Sequence, residues 1–135
     1  MHEYTIAVGI IETLKNYAAQ SGFKVRSFKI VVGELSMLNI EAIRMSLDML
    51  MPKTDLNDAY YSIECEEARV GCGTCGAVMT FNEAVKELGE DVLETIHFLP
   101  EMLASFTSCR VCGSSDLRVL SGRGVKVVDV TAESK

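Results

Sequence analysis

The chain has 135 residues, of which 48% are apolar and 24% charged, a composition typical of one compact unit or of a core with one small appended module. A formal charge of -6 disfavours nucleic-acid binding, because affinity for a phosphate backbone comes from neutralising its charge. The sequence contains no apolar run near the roughly 20 residues that span a bilayer and no signal-peptide pattern, so we predict no membrane contact and a cytoplasmic location.

The first part of the chain carries helix and strand patterns in turn. Apolar residues recur at helical spacing over 5–20, which predicts an amphipathic helix that Ser21-Gly22 ends. Alternation over 24–32 predicts a strand. Asn39 as N-cap and Pro52 as a breaker then bracket a second predicted helix. Its three methionines, which we expect to pack in the core and not to bind metal, are Met45, Met49 and Met51.

Three more strands are predicted further along the chain. The first covers 60–70 and carries Cys65 in an apolar pattern, which favours a buried structural thiol over a regulatory or metal-binding one. Two others cover 117–120 and 125–130. We expect the last of them to return to the sheet begun by 24–32.

The predicted fold class is α+β. A small mixed sheet with two helices forms a discontinuous domain of residues 1–69 and 118–135. A zinc-ribbon-like module that contains four cysteines, residues 70–117, is inserted into this domain and itself carries a helical insertion at about 83–106.

Four of the five cysteines form two Cys-x-x-Cys pairs, Cys72, Cys75, Cys109 and Cys112. Two intervening residues let both sulfurs of a tight turn point at one ion, and Gly76 and Gly113 follow the pairs. Four thiolates favour a structural Zn²⁺, and such a closed shell leaves no position for catalytic water. Redox-active dithiols or two vicinal disulfides are the alternative, but they do not explain a matched second pair.

The N-terminus offers a second kind of metal site. The α-amine of Met1, the following amide nitrogen and the His2 imidazole could form fused chelate rings around square-planar Ni²⁺ or Cu²⁺. Glu3 could add a carboxylate, a hydrogen-bond acceptor or its own amide nitrogen. Position alone leaves a surface or capping histidine as the alternative for His2.

Several segments together resemble the HypA/HybF family of hydrogenase nickel-incorporation proteins. They are the opening MHEYTIAVGIIETL, the later GELSMLNIEAIRMSLDML, the two cysteine pairs with CGSSDL after the last cysteine, and the terminal SGRGVKVVDV. The resemblance covers nearly the whole chain, and Met-His-Glu at the N-terminus combined with the cysteine pairs is highly specific. Two features depart from the usual pattern: Arg110 stands where proline is common, and 33 residues separate Cys75 from Cys109. This longer spacing resembles the archaeal-type members.

The resemblance implies a nickel metallochaperone that is not an enzyme. It makes His2 a nickel ligand, Glu3 a neighbour that influences nickel binding, and Cys72, Cys75, Cys109 and Cys112 the zinc ligands. It also implies a nucleotide-hydrolysing partner of the HypB type and delivery of nickel to the [NiFe] hydrogenase large subunit. We expect the chain to be a monomer or a homodimer. The competing hypothesis is a zinc-ribbon adaptor for protein binding, without a transported metal.

The insertion carries an acidic helical pattern that ends near His97. Its charged residues are Glu83, Glu87, Glu90, Asp91 and Glu94 against Lys86. An exposed acidic helix, a docking surface for a basic partner and a wall of the nickel site are all compatible with it. His97 is either packed among apolar neighbours or supplies the fourth donor that the square-planar set of Met1 and His2 lacks.

Overall fold

The structure, a computed structural model, describes residues 2–135. Its helices are α1 (His2–Ser21), α2 (Ile40–Leu50), α3 (Phe81–Val85), α4 (Glu90–Phe98) and α5 (Leu103–Phe106), with 3₁₀ turns at Glu34–Ser36, Met51–Lys53 and Pro100–Met102. Its strands are β1 (Phe23–Gly33), β2 (Tyr60–Glu66), β3 (Arg69–Cys72), β4 (Val78–Thr80), β5 (Leu117–Ser121) and β6 (Val125–Ser134). These elements form two compact units.

The first unit comprises residues 2–32, 38–64 and 125–135. Its sheet has the strand order β2-β1-β6, and β6 runs antiparallel to β1 with Ile30 opposite Val127. The last strand therefore returns to the sheet of the first, as predicted. The apolar faces of α1 and α2 supply most of the helical core residues, Ala7, Ile10, Ile11, Leu14, Ile43 and Leu47.

Local sequence signals explain how α2 begins. The Asn39 side chain accepts a hydrogen bond from the backbone N–H of Ala42 at 3.0 Å, which satisfies one of the donors left free at a helix start. The helix then passes into the 3₁₀ turn that contains Pro52. Both predicted boundary residues act as expected.

The second unit comprises residues 33–37 and 65–124. Its sheet has the strand order β4-β3-β5, antiparallel throughout. The helical segments α3, α4 and α5 pack their buried residues against this sheet, and two cysteines belong to the same core. Members of this core include Val70, Cys72, Phe81, Ile96, Leu103 and Cys109. The insertion is thus a set of short helices joined by turns.

The domain boundaries differ from those expected from the sequence. The second unit includes three segments that were expected in the first domain, residues 33–37, 65–69 and 118–124. Residues 33–37 belong to the second unit because the Leu35 side chain is buried in its core. Residues 118–124 belong to it because strand β5 pairs with β3 and not with β1.

The strand predicted over 60–70 is two strands in two different sheets. Strand β2 leaves the first core after Ile63, and Cys65 on it is exposed. The prediction that Cys65 is a buried structural thiol is therefore wrong.

Met51 is buried as predicted, but Met45 and Met49 lie on the exposed side of α2. Among residues 2–135, no helix combines the length and apolar character that crossing a membrane requires.

Candidate metal centre

The four paired cysteines of the second unit converge on one point. Their sulfur atoms all lie within 4.8 Å of one another. The Sγ atoms of Cys72 and Cys112 are 3.6 Å apart, and those of Cys75 and Cys109 are 3.7 Å apart. A tetrahedral zinc with Zn–S bonds of about 2.3 Å has sulfur–sulfur edges of about 3.8 Å. The donor set and its spacing therefore fit a single tetrahedral metal ion.

The two cysteine turns have nearly identical backbone hydrogen bonds. In the first turn Gly76 N–H donates to the Cys72 carbonyl, and in the second Gly113 N–H donates to the Cys109 carbonyl, both at 2.9 Å. Both glycines have φ of +78°, a left-handed conformation that a residue without Cβ adopts at low cost. Arg110, at the position where the resemblance led us to expect proline, does not disturb this repetition.

Backbone N–H groups also point at sulfur. Thr74 N–H donates to Cys72 Sγ and Val111 N–H donates to Cys109 Sγ, both at 3.4 Å. Such bonds stabilise thiolate, the form that coordinates a metal. The two turns are also linked by a hydrogen bond between the hydroxyls of Thr74, inside the first turn, and Ser114, two residues after the second, which lie 2.8 Å apart.

The cysteine pKa values follow this arrangement. The N–H groups of Cys75 and Thr74 lower the pKa of Cys72 to about 6, against the opposing effect of burial. The pKa of Cys109 is lowered in the same way by the N–H groups of Cys112 and Val111. The N–H of Ser114 lowers the pKa of Cys112, but burial and the neighbouring thiols outweigh it and raise that pKa to about 12. The buried first cysteine of each pair is therefore the readier thiolate.

The N-terminal residues lie at the start of a long helix in the first unit. Helix α1 begins at His2, whose side chain is exposed. The first backbone N–H groups of a helix have no acceptor within it, so an amide nitrogen there can coordinate a metal without breaking a helical hydrogen bond. Met1, which was also predicted as a ligand, lies outside the described residues.

Glu3 is held in place by the start of the second helix. Its carboxylate accepts a hydrogen bond from the backbone N–H of Asn39 at 2.9 Å. The N–H of Asn39, together with the N–H of Glu3 itself, lowers the pKa of the Glu3 carboxyl to about 2. Glu3 is therefore a fixed anion at the N-terminal ends of α1 and α2, where a negative charge is favourable.

His97 lies at the end of α4, in the second unit. Its ring packs against Phe81, with the ring centroids 5.4 Å apart. Its Nδ1 atom is shielded from solvent and has no hydrogen-bond partner among residues 2–135. The ring also borders a cavity of about 250 Å³ that Phe98 and Arg123 help to line.

Sequence reasoning missed the part that Asn39 plays beside the N-terminus. It identified Asn39 as a helix cap but not as the partner of Glu3, because the two residues are 36 positions apart. It also missed the Thr74–Ser114 contact between the two cysteine turns. The available signal was only that each hydroxyl residue lies close to a cysteine pair, Thr74 inside the first and Ser114 just after the second.

The chain is similar to known proteins over nearly its whole length. A family model described as "Hydrogenase/urease nickel incorporation, metallochaperone, hypA" matches residues 1–132. Hydrogenase maturation factor HypA of Pyrococcus furiosus is 35% identical over 136 residues, which cover 100% of this chain and 98% of the relative. The protein of that name from Thermococcus gammatolerans is 33% identical over the same shares of the two chains. A solution structure of the Ni metallochaperone HypA from Helicobacter pylori matches the fold with a TM-score of 0.60 at 16% identity, over 98% of each chain. The chain therefore belongs to the HypA family of hydrogenase and urease nickel-incorporation proteins.

Proposed function

We propose that the chain is a nickel metallochaperone, not a catalyst. It binds Ni²⁺ at its N-terminus through the α-amine of Met1 and the amide nitrogen and imidazole of His2. It delivers the ion to the large subunit of [NiFe] hydrogenase with a HypB-type nucleotide-hydrolysing partner. The observation that carries the proposal is the exposed His2 side chain at the first turn of α1, beside the anchored carboxylate of Glu3.

The cysteine cluster would hold a structural Zn²⁺. Its support is the donor set itself: four sulfurs close the tetrahedron, and backbone N–H groups bind the sulfurs of Cys72 and Cys109. A closed shell leaves no coordination position for water or substrate. The metal would therefore keep the second unit folded and would not take part in nickel exchange.

Nickel binding at the N-terminus needs few protein groups. Amine, amide and imidazole nitrogen are the donors that square-planar Ni²⁺ prefers, and all three lie within two residues. His2 is exposed, so a client can approach the ion. All three donors must lose or lack a proton to coordinate, so we expect nickel affinity to fall as the pH falls.

Glu3 would support the nickel site without binding the ion directly. Its hydrogen bond to Asn39 N–H fixes the carboxylate, and with it the first turn of α1. A carboxylate held beside a metal orients the ligands and offsets part of the ion's charge. We therefore propose that Glu3 supports the nickel site from the second coordination sphere.

We propose His97 as the fourth nickel donor. Three nitrogens leave one position of a square-planar ion open, and His97 is the other imidazole of the chain. Its Nδ1 has no hydrogen-bond partner within residues 2–135 but is shielded from solvent, so Nε2 is the nitrogen that would coordinate. A His97→Phe variant keeps the ring that packs on Phe81 and removes the donor. It should weaken nickel binding and leave the zinc content unchanged.

The proposed setting is the cytoplasm, where a reducing environment keeps the four cysteines as metal-binding thiols. Nucleotide hydrolysis has to come from the partner, since the sequence contains no glycine-rich phosphate loop followed by Lys-Ser or Lys-Thr. The chain would act as a monomer or a homodimer.

A calorimetric Ni²⁺ titration tests the proposal on zinc-loaded protein without a tag. Wild-type protein should bind nickel saturably, and His2→Ala should lose at least about a hundredfold in affinity because one of its chelate rings is gone. A variant with two leucines inserted after Met1 is the matched control for geometry: it retains the amine and the imidazole but moves the imidazole to position 4, where fused chelate rings no longer join the two, and the large second residue keeps Met1 in place.

The inserted variant should also bind weakly if the fused rings hold the ion. Equal nickel binding by wild type and His2→Ala, or none by either, would favour the zinc-ribbon adaptor instead. Zinc content, measured in the same samples, should be the same in all three proteins.

A further inference from the structure

The helical segment that follows α4 exposes a group of large apolar side chains. They are Phe98, Leu99, Met102 and Phe106, which we call the apolar surface. Phe98 is 84% exposed, which is an unusual state for an aromatic side chain in a folded protein. Leu99, Met102 and Phe106, which follow Phe98 closely in sequence, are also exposed.

The core of the second unit holds this segment in place. Ile96 before it and Leu103 within it are fully buried. The chain between them is tied by backbone hydrogen bonds from Leu99 N–H to the Thr95 carbonyl at 2.8 Å and from Met102 N–H to the Leu99 carbonyl at 2.9 Å. Because the inward positions are taken by Ile96 and Leu103, the apolar surface faces outward as a consequence of the fold.

Most of the charges near the apolar surface are negative. Between residues 83 and 101 the chain has six carboxylates and one lysine, and all seven side chains are exposed. The carboxylates are those of Glu83, Glu87, Glu90, Asp91, Glu94 and Glu101. Glu101 forms an ion pair with Arg123, while Glu90 and Glu94 lie four residues apart along α4. An apolar centre beside a charged rim is the usual anatomy of a protein–protein interface.

We propose that the apolar surface and the carboxylates of α4 form a docking site for a protein partner. The partner's surface would have an apolar depression that receives Phe98, with lysines and arginines around it that face the carboxylates. Phosphate backbones and anionic lipid headgroups would be repelled by the same carboxylates. This role is separate from nickel binding and does not depend on His2.

A labelled amphipathic peptide with one leucine face and one lysine face is a suitable probe of this chemistry. Titrated with the full-length, zinc-loaded protein, it should bind saturably, and more weakly as salt increases because the charges are screened. Phe98→Ala should lower the affinity about tenfold, since truncating an aromatic anchor removes most of its contact. Glu90→Gln combined with Glu94→Gln should lower it about threefold at low salt and leave it unchanged at high salt.

Two matched controls belong to the first unit. Tyr60→Ala removes an aromatic side chain that is 80% exposed, and Glu12→Gln combined with Glu41→Gln removes the same number of carboxylates. Neither control should change peptide affinity. Met102→Ser is a second variant within the apolar surface, in case Phe98→Ala fails to fold; zinc content and circular dichroism report folding.

Four results would overturn the proposal. The first is that the wild type does not bind the peptide saturably, and the second is that the controls lose as much peptide affinity as Phe98→Ala does. The third is self-association without peptide that Phe98→Ala abolishes, and the fourth is binding to phosphatidylcholine vesicles that depends on Phe98. The third result would make a second copy of the chain the occupant of the site. The fourth would make it a membrane.

Discussion

The two proposed metal sites of this chain are built in opposite ways. In the second unit four sulfurs come together from two turns, and matching backbone hydrogen bonds fix each turn before any side chain contributes. In the first unit His2, which supplies two of the proposed nickel donors, is exposed at the start of α1, and the proposed fourth donor, His97, is far along the sequence. A site that must retain its ion is closed and organised by the backbone, whereas a site that must release its ion has few donors at a chain end.

The comparison extends to how each unit is stabilised. Two of the four sulfur ligands, those of Cys72 and Cys109, are part of the second unit's core. The first unit has a core of apolar side chains, most of them from α1, α2 and β1, and none of the core residues among 2–135 is a cysteine. Loss of zinc should therefore affect one unit and spare the other.

The largest expected effect comes from removing zinc or one of its ligands. Cys109→Ser, or a strong chelator, should unfold the second unit, because structural zinc contributes on the order of 10 kcal/mol to small metal-dependent folds. The first unit should remain folded. Backbone NMR spectra resolve the two sets of signals.

The chain contains its own control for this prediction. Cys65 is exposed and separate from the cluster, so Cys65→Ser should change neither zinc content nor spectra. Simultaneous loss of both sets of signals in Cys109→Ser would mean that the first unit also depends on zinc, and the contrast between the units would not hold.

A smaller effect on the second unit should follow from Gly122→Ala. Gly122 has φ of +91°, and a Cβ there would lie 2.5 Å from the Cα of Ala68. Strained backbone and close contact together should cost about 3 kcal/mol in the free energy of unfolding. Gly124→Ala is the control, because it has φ of +62° but open space around its Cβ, and should cost about 1 kcal/mol. Chemical unfolding of zinc-loaded protein measures both; equal losses would show that the close approach to Ala68 is unimportant.

The third effect concerns the nickel site. Glu3→Gln retains an oxygen acceptor for Asn39 N–H but removes the charge, so nickel affinity should fall by about tenfold, as for the loss of other second-sphere carboxylates. Glu12→Gln removes an exposed carboxylate from the same helix and should leave nickel affinity unchanged. The same calorimetric titration serves for both. A loss as large as that of His2→Ala would indicate that Glu3 is itself a ligand.

Local patterns were sufficient to predict much of this fold. Helical spacing located α1, and Asn39 and Pro52 bracketed α2 correctly. The spacing within each cysteine pair predicted the cluster, because a Cys-x-x-Cys turn places its own sulfurs together regardless of the rest of the chain. Each of these features depends on residues close in sequence.

Other features depend on partners far along the chain. Apolar alternation in β2 is interrupted at Glu66-Glu67 and resumes out of phase in β3, and this short break is the only mark in the sequence of the passage from one sheet to the other. The pairing of β5 with β3, the burial of Leu35 in the second core and the contact between Glu3 and Asn39 are likewise long-range. Residue spacing alone cannot predict such contacts.

The smallest expected effect is on the pH dependence of the first unit's stability. It comes from Tyr61, which is not one of the proposed metal ligands. The Tyr61 ring stacks on Phe28, and its hydroxyl donates to the Asp48 carboxylate at 2.5 Å. Burial, followed by the hydrogen bond to Asp48, raises the pKa of Tyr61 to about 12, from an ordinary value of 10.0. The neutral phenol is the favoured form in the folded protein.

A tyrosine whose pKa is raised on folding contributes its full stabilisation while the pH is below its ordinary pKa. This stabilisation is lost as the pH rises through the pKa of the folded state. The stability of the first unit should therefore decline between pH 10 and 12 in wild type, through the titration of Tyr61. In Tyr61→Phe this part of the decline should be absent, since no phenol remains to ionise. Asp48→Asn keeps an oxygen acceptor without the charge and should move the Tyr61 transition back toward 10, as followed by tyrosine absorbance against Tyr61→Phe as the blank. An unchanged transition in Asp48→Asn would assign the raised pKa to burial alone.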